Sequence, residues 1–303
     1  MGEHGIARQN TVKARMKRQA FYMIFMQKSL GIAAPAPGED MSIYEYTPLL
    51  IYCCLLAAAL GACLGSFLNC AAWRIVHGES FLKGRSHCTS CGHALGAPDL
   101  VPVFSWVFLK GRCRYCGERV PARYPLTELF FAAATVLCLL RFDLTVLCLR
   151  NYVFLCCLFL LALTDIEDMV IPDGCHIAAI LAWIGTSFII FDGMKSALPY
   201  ILAALVCGGG LLLVSLLLDK ALGRESLGGG DIKLFFVVGL YLGPVGTLFT
   251  MIAACAAGLL YAGLRSRSKG EGGAFPFGPW IAGAAALMLL CGDPLINWYT
   301  GLL

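Results

Sequence analysis

Residues 144–164 read LTVLCLRNYVFLCCLFLLALT, and the charged stretch DIED follows at once. Only Arg150, near one end, carries a charge in that run. At 1.5 Å per residue a helix of this length reaches about 31 Å, against a bilayer hydrocarbon core of about 30 Å. The residues do not alternate strictly between apolar and polar, as a membrane β-strand would, and a helix satisfies its own backbone polar groups in lipid. The segment therefore reads as a transmembrane helix that ends on a cluster of carboxylates.

Seven further apolar runs extend the pattern, at 48–71, 125–140, 175–191, 197–218, 232–243, 245–264 and 277–292. The run at 232–243 is short for a span. Composition agrees, with 59% hydrophobic and 14% charged residues, where soluble domains hold about 45–50% and about 25%. The expected fold class is an all-α polytopic membrane protein with about eight transmembrane helices. The expected division is a basic tail over 1–47, a first transmembrane helix over 48–71, a polar loop over 72–124 and a membrane-embedded bundle over 125–303.

Charge placement predicts the orientation. Of the 23 Lys and Arg residues, eight, none, three and three fall in connections on the side of the 72–124 loop. The opposite connections hold two, one and none. By the positive-inside rule this loop faces the cytoplasm. The first 47 residues break the pattern, since their basic residues lie on the side expected to be outside. Met41 opens MSIYEYTPLL just ahead of the first span, so a natural start at Met41 is expected; an amphipathic tail on the membrane surface is the alternative. Nucleic-acid binding is not indicated, because membrane orientation accounts for the basic residues.

Of sixteen cysteines, twelve lie in or beside apolar runs, where cysteine behaves as a small hydrophobe. The other four, Cys88, Cys91, Cys113 and Cys116, form two Cys-x-x-Cys pairs in SHCTSCGHAL and GRCRYCGERV, each followed by glycine. This spacing resembles a four-cysteine zinc ribbon. Four thiolates complete the closed tetrahedron that zinc prefers and leave no open position, so the metal is expected to fold the loop and not to act in hydrolysis. Disulfides are the alternative, and a cytoplasmic loop disfavours them. His87 and His93 flank the first pair as substitute ligands. A membrane thiol-redox or metal-sensing protein using these pairs is the runner-up function, and it would need an accessible low-pKa thiolate. A transporter is a third possibility, on the broken apolar segments.

Two acidic segments share the loop's side of the membrane: TDIEDMVIPDG at 164–174 and ESLGGGDIKLF at 225–235. Asp165 closes one apolar run and Asp231 opens another, and ionisable groups at such positions are candidates for function. Gly228–Gly230 remove side chains where a backbone must approach closely. Two carboxylates sharing a proton can act as base and acid toward a peptide bond. The other reading is that Asp165, Glu167, Asp168 and Asp173 are solvated loop charges and Asp231 caps a helix.

Taken together, the segments resemble the type IV prepilin peptidases. GSFLNCAAWR at 65–74, VPVFSWVFLKGRCRYC at 101–116, ARYPLTELF at 122–130, TDIEDMVIPD, GGGDIKL and FPFGPW at 275–280 match that family's motifs in order, from about Met41 to the C-terminus. Cys70 and the pair Asp99–Leu100 depart from its usual residues. The resemblance implies a membrane aspartyl endopeptidase with Asp165 and Asp231 as the catalytic pair, Asp168 and Asp173 as alternatives, and the four cysteines as zinc ligands. It further implies prepilin or pseudopilin substrates cut after a glycine on the cytoplasmic side of the inner membrane. N-methylation of the new N-terminal residue with S-adenosylmethionine is implied by the resemblance alone.

Overall fold

The computed structural model describes residues 47–81, 84–223, 227–269 and 275–301. The basic tail up to Tyr46, with the expected Met41 start, lies outside the described residues, as do Glu225 and Ser226 of the second acidic segment. The chain divides into two compact units between Leu56 and Ala57. Of the first, only the opening turns of helix α1 (Thr47–Val76) are described. The second holds the rest of α1 and all that follows.

After α1 come a 3-10 turn at Ala97–Asp99 and the helices α2 (Phe104–Phe108), α3 (Arg123–Phe142), α4 (Val146–Asp168) and α5 (Asp173–Ile190). They are followed by α6 (Met194–Leu222), α7 (Gly229–Lys269), α8 (Gly278–Cys291) and α9 (Asp293–Thr300). The described residues contain no strand, only isolated bridges His87–Ala94 and Arg112–Arg119 in the cysteine loop.

Local chemistry sets the ends of α4. Thr145 caps its start, its hydroxyl accepting the Cys148 N–H at 3.2 Å. At its end Met169 takes a left-handed conformation, φ 53°, and Pro172 disfavours a helical Ile171. The helix therefore stops at Asp168, which leaves Asp165 in its last turn.

Helix α7 is two arms joined at Gly243, whose φ of 66° and ψ of −171° interrupt the helix just before Pro244. In the first arm Gly230 lies against Ile171 at the carboxylate end of α4, while Tyr241 stacks on Phe154, ring centroids 4.0 Å apart, toward the other end. The second arm returns. Gly258 lies against Phe277, just before α8, whereas Gly246 and Phe249 lie against Ile296 and Tyr299 beyond it. A straight helix would separate Asp231 from Gly258 by about 40 Å, so the chain reverses at Gly243.

The eight expected apolar runs fall on seven helices of the structure. Among the described residues six helices are long and apolar enough to cross a membrane: α1, α3, α4, α5, α6 and α7. The runs expected at 232–243 and 245–264 are the arms of one element, and the last run forms the shorter apolar helix α8. The all-helical membrane class stands.

Side chains from α4, α5, α7 and α8 fill the core, among them Phe154, Leu158, Leu161, Val238, Ile281 and Ala285. Small residues let backbones approach closely, as membrane helix pairs require. A Cβ on Gly239 would come 2.5 Å from the Cα of Ala204. On the outside, Phe188 and Leu259 are 88% and 74% exposed; such surface suits lipid contact and would be costly in water.

Candidate active site and metal centre

The last turn of α4, the first turn of the first arm of α7 and the start of α8 meet at one end of the bundle. Asp165 is 5% exposed, and its Oδ2 accepts the backbone N–H of Gly278 at 2.8 Å. Gly278 opens α8, so the carboxylate sits where a helix start presents free N–H groups and partial positive charge. The approach requires glycine: a Cβ at 278 would lie 2.8 Å from that same oxygen.

Asp231 occupies the first turn of α7 and is near enough to Asp165 for the two charges to interact. Its Oδ1 is buried and has no hydrogen-bond partner among the described residues. Gly230 permits the close approach of its backbone to Ile171, since a Cβ there would lie 2.8 Å from that side chain. The neighbouring acids are disposed differently. Asp168 is exposed, Asp173 is exposed and paired with Lys233 at 2.7 Å, and Glu167 pairs with Arg123 at 3.1 Å.

The cysteine loop builds two knuckles of the same form. Gly92 and Gly117, φ 70° and 75°, follow each pair. In the first knuckle the Gly92 N–H reaches Cys88 O at 2.8 Å and the Cys88 N–H reaches His93 O at 3.0 Å. In the second, the Gly117 N–H reaches Cys113 O at 3.0 Å and the Cys113 N–H reaches Glu118 O at 2.8 Å. The four sulfurs lie within 4.8 Å of one another, Cys88 and Cys116 at 3.9 Å. A tetrahedral zinc site with bonds of about 2.3 Å has sulfur–sulfur edges of about 3.8 Å, so the cluster fits that metal.

The Cys91 backbone amide, helped by that of Ser90, holds the Cys88 thiol down to about 6, which favours the thiolate needed for ligation. Neither flanking histidine enters the cluster: His93 lies on the Tyr115 ring at 3.7 Å, and His87 meets Trp73 edge-on at 5.6 Å. Asp99 braces the second knuckle, taking Arg114 Nε at 2.6 Å, the Tyr115 hydroxyl at 3.0 Å and the Gly96 N–H at 3.1 Å. Burial alone would raise the Asp99 carboxyl, but these donors outweigh it and hold it below the ordinary carboxylate range.

Comparison with known proteins matches residues 152–263 to the type IV leader peptidase family and residues 59–142 to the bacterial peptidase A24 N-terminal domain. A prepilin leader peptidase/N-methyltransferase of Bacillus subtilis (strain 168) is 32% identical over 79% of this chain and 94% of its own length. The chain belongs to the type IV leader peptidase family. Prepilin leader peptidase/N-methyltransferases of Dichelobacter nodosus and Pseudomonas putida are each 30% identical, over 81% and 80% of this chain and 93% and 92% of their own lengths. No solved structure gives a significant match.

Within this member of the leader peptidase family, the packing buries Asp165 and brings Asp231 within reach of its charge, whereas Asp168 and Asp173 are exposed. The cysteines converge as a separate group. Sequence reasoning singled out FPFGPW without finding that Gly278 supplies a hydrogen bond to Asp165. It named Asp99 only as the first residue of the pair Asp99–Leu100; neither Gly278 nor Asp99 has a local pattern that announces its partner.

Proposed function

We propose that this protein is a membrane aspartyl endopeptidase that removes the leader of type IV prepilins or pseudopilins, with Asp165 and Asp231 as the catalytic pair. The observation that carries the reading is the approach of these two carboxylates, 66 positions apart in the chain, within reach of each other's charge, with Asp165 accepting the backbone N–H of Gly278. One carboxylate takes a proton from the attacking water while its protonated partner polarises the scissile carbonyl. The water oxygen then bonds to that carbon, and collapse of the tetrahedral species breaks the C–N bond as the amine takes a proton.

The 72–124 segment is read as the metal-binding loop and 125–303 as the peptidase bundle. Cys88, Cys91, Cys113 and Cys116 would hold a structural zinc ion, which supplies a closed four-thiolate anchor for the loop. The convergence of all four sulfurs supports this reading over thiol exchange. The excess of Lys and Arg on one side supports an inner-membrane protein whose loop and aspartates face the cytoplasm. A substrate helix would remain in lipid while its basic leader stays near the anionic inner leaflet.

The names of the relatives also support N-methylation of the newly exposed terminus. S-adenosylmethionine would supply a methyl group that passes to the amine nitrogen as the carbon–sulfur bond breaks and the amine loses a proton. The test is cleavage of a prepilin precursor by the purified chain in detergent, followed by mass. The reading requires wild-type cleavage and its loss in both Asp165→Asn and Asp231→Asn with metal content retained; undiminished cleavage in either variant would remove that residue from the pair.

A further inference from the structure

The turn between α3 and α4 lies at the opposite end of the bundle from the aspartates, because α3 leaves the cysteine loop at Arg123 and α4 returns to Asp168. Only Asp143, Leu144 and Thr145 separate the two helices. The turn is fastened at both ends. The Asp143 N–H reaches Leu139 O at 2.8 Å, and the Thr145 hydroxyl donates to Phe142 O at 2.7 Å while it caps α4. Facing positions on the two helices are thereby held in register.

Cys138, near the end of α3, faces Cys148, in the first turn of α4. Their sulfurs lie 3.9 Å apart, unbonded. Each sulfur also approaches the other residue's carbonyl oxygen, Cys138 Sγ at 3.9 Å and Cys148 Sγ at 3.8 Å. Such reciprocal contacts need two backbones close together, as a disulfide requires. From 3.9 Å, a bond of about 2.05 Å asks the sulfurs to close by about 1.9 Å, which calls for side-chain rotation at both residues and not for a backbone shift. Cysteines serving only as small apolar residues have no need to point at each other. Among the described residues no third group joins them to make a metal site.

We propose that Cys138 and Cys148 form a disulfide that staples the α3–α4 hairpin on the extracytoplasmic side. The inference rests on the orientation proposed above, which puts this turn where disulfides persist and the cysteine loop where thiols stay reduced. Both residues lie within about 6 Å of the end of their helix, near the aqueous surface. Cys148 is partly exposed and Cys138 only 1% exposed, so Cys148 meets the oxidant, a protein disulfide of the thiol-oxidising class. Its thiolate attacks one sulfur of that disulfide, whose S–S bond breaks and releases a thiolate. The Cys138 thiolate then attacks Cys148 Sγ and expels the second thiolate. The two protons lost by the cysteines end on the oxidant, which leaves as a dithiol reduced by two electrons. A link across 10 positions restricts the unfolded chain, and it ties α3 to the start of the helix that carries Asp165 at its other end.

Peptide mapping by mass tests the site on the full chain, from cells lysed under denaturing conditions with N-ethylmaleimide present. The expected result is one linked species carrying Cys138 and Cys148, short of two hydrogens and free of maleimide, while Cys175, at the aspartate end, carries the label. Reduction of the purified wild type by a phosphine should lower its melting temperature in detergent by several degrees. Cys148→Ser should begin at that lower value and respond no further. The orientation is read separately, by labelling Asp192→Cys in intact cells with a membrane-impermeant maleimide; Asp192 is exposed in the other connection on the same side. Maleimide on both Cys138 and Cys148, with Asp192→Cys labelled from outside, overturns the disulfide and leaves the orientation standing. Labelling of Asp192→Cys only after the membrane is opened overturns the orientation, and the disulfide with it.

Discussion

The cysteine loop gathers its four sulfurs from residues no more than 28 positions apart, whereas the carboxylate end of the bundle joins Asp165 to a backbone N–H 113 positions away. In the loop each pair of sulfurs is aimed by its own knuckle, through hydrogen bonds that close within a few residues. At the carboxylates nothing local does the aiming. Their meeting depends on where α4 stops, where α7 starts and how closely α8 can approach. A cysteine cluster made from local turns can persist while the bundle shifts, but the aspartates can keep their geometry only if three helices remain packed.

The largest expected effect tests whether the regions are separable. Asp165→Asn or Asp231→Asn should lower leader cleavage by about 10³-fold or more, with metal content by atomic spectroscopy unchanged; parallel loss of metal would show that the regions fold as one. The reverse experiment is Cys88→Ser or Cys113→Ser. Metal should fall from stoichiometric to negligible, and limited proteolysis should open the chain within 84–121, while the bundle helices remain protected.

Gly278→Ala probes the long-range side alone. The added Cβ would lie 2.8 Å from the Asp165 oxygen, so the carboxylate or α8 must move, and cleavage should fall by about 10²-fold with metal retained. Gly239→Ala tests packing farther from the chemistry, and its clash with the Ala204 backbone should cost about 1–3 kcal/mol, seen as a lower melting temperature in detergent.

The smallest effect concerns the brace at Asp99. Its carboxyl is held below the ordinary range, so the folded state is favoured once pH exceeds the unfolded value of about 3.9, and this contribution is lost as pH falls through the depressed folded value. Asp99→Asn should lack that dependence and show a few-fold faster amide exchange over residues 111–120 near neutral pH. Indistinguishable exchange would assign the rigidity of the knuckle to the metal alone.

The same contrast explains what the sequence made legible. The four cysteines stood out because Cys-x-x-Cys is itself the geometry of the knuckle, whereas Asp165 and Asp231 could be separated from Asp168 and Asp173 only by resemblance or by packing. Apolar runs revealed the helices but not that two of them are arms of one element, since hydropathy does not report a reversal at a single residue.

The reversal at Gly243 bears on how the chain is made. The arm from Gly229 to Leu242 is short and begins with Asp231 and Lys233, a poor signal for entering the bilayer by itself. Its more apolar partner follows after a turn of almost no length, so the two can be delivered by the insertion machinery as one hairpin. Biogenesis would then carry a charged residue to its depth on the hydrophobicity of its neighbour, and lengthening the turn should uncouple the arms and leave Asp231 outside the bilayer.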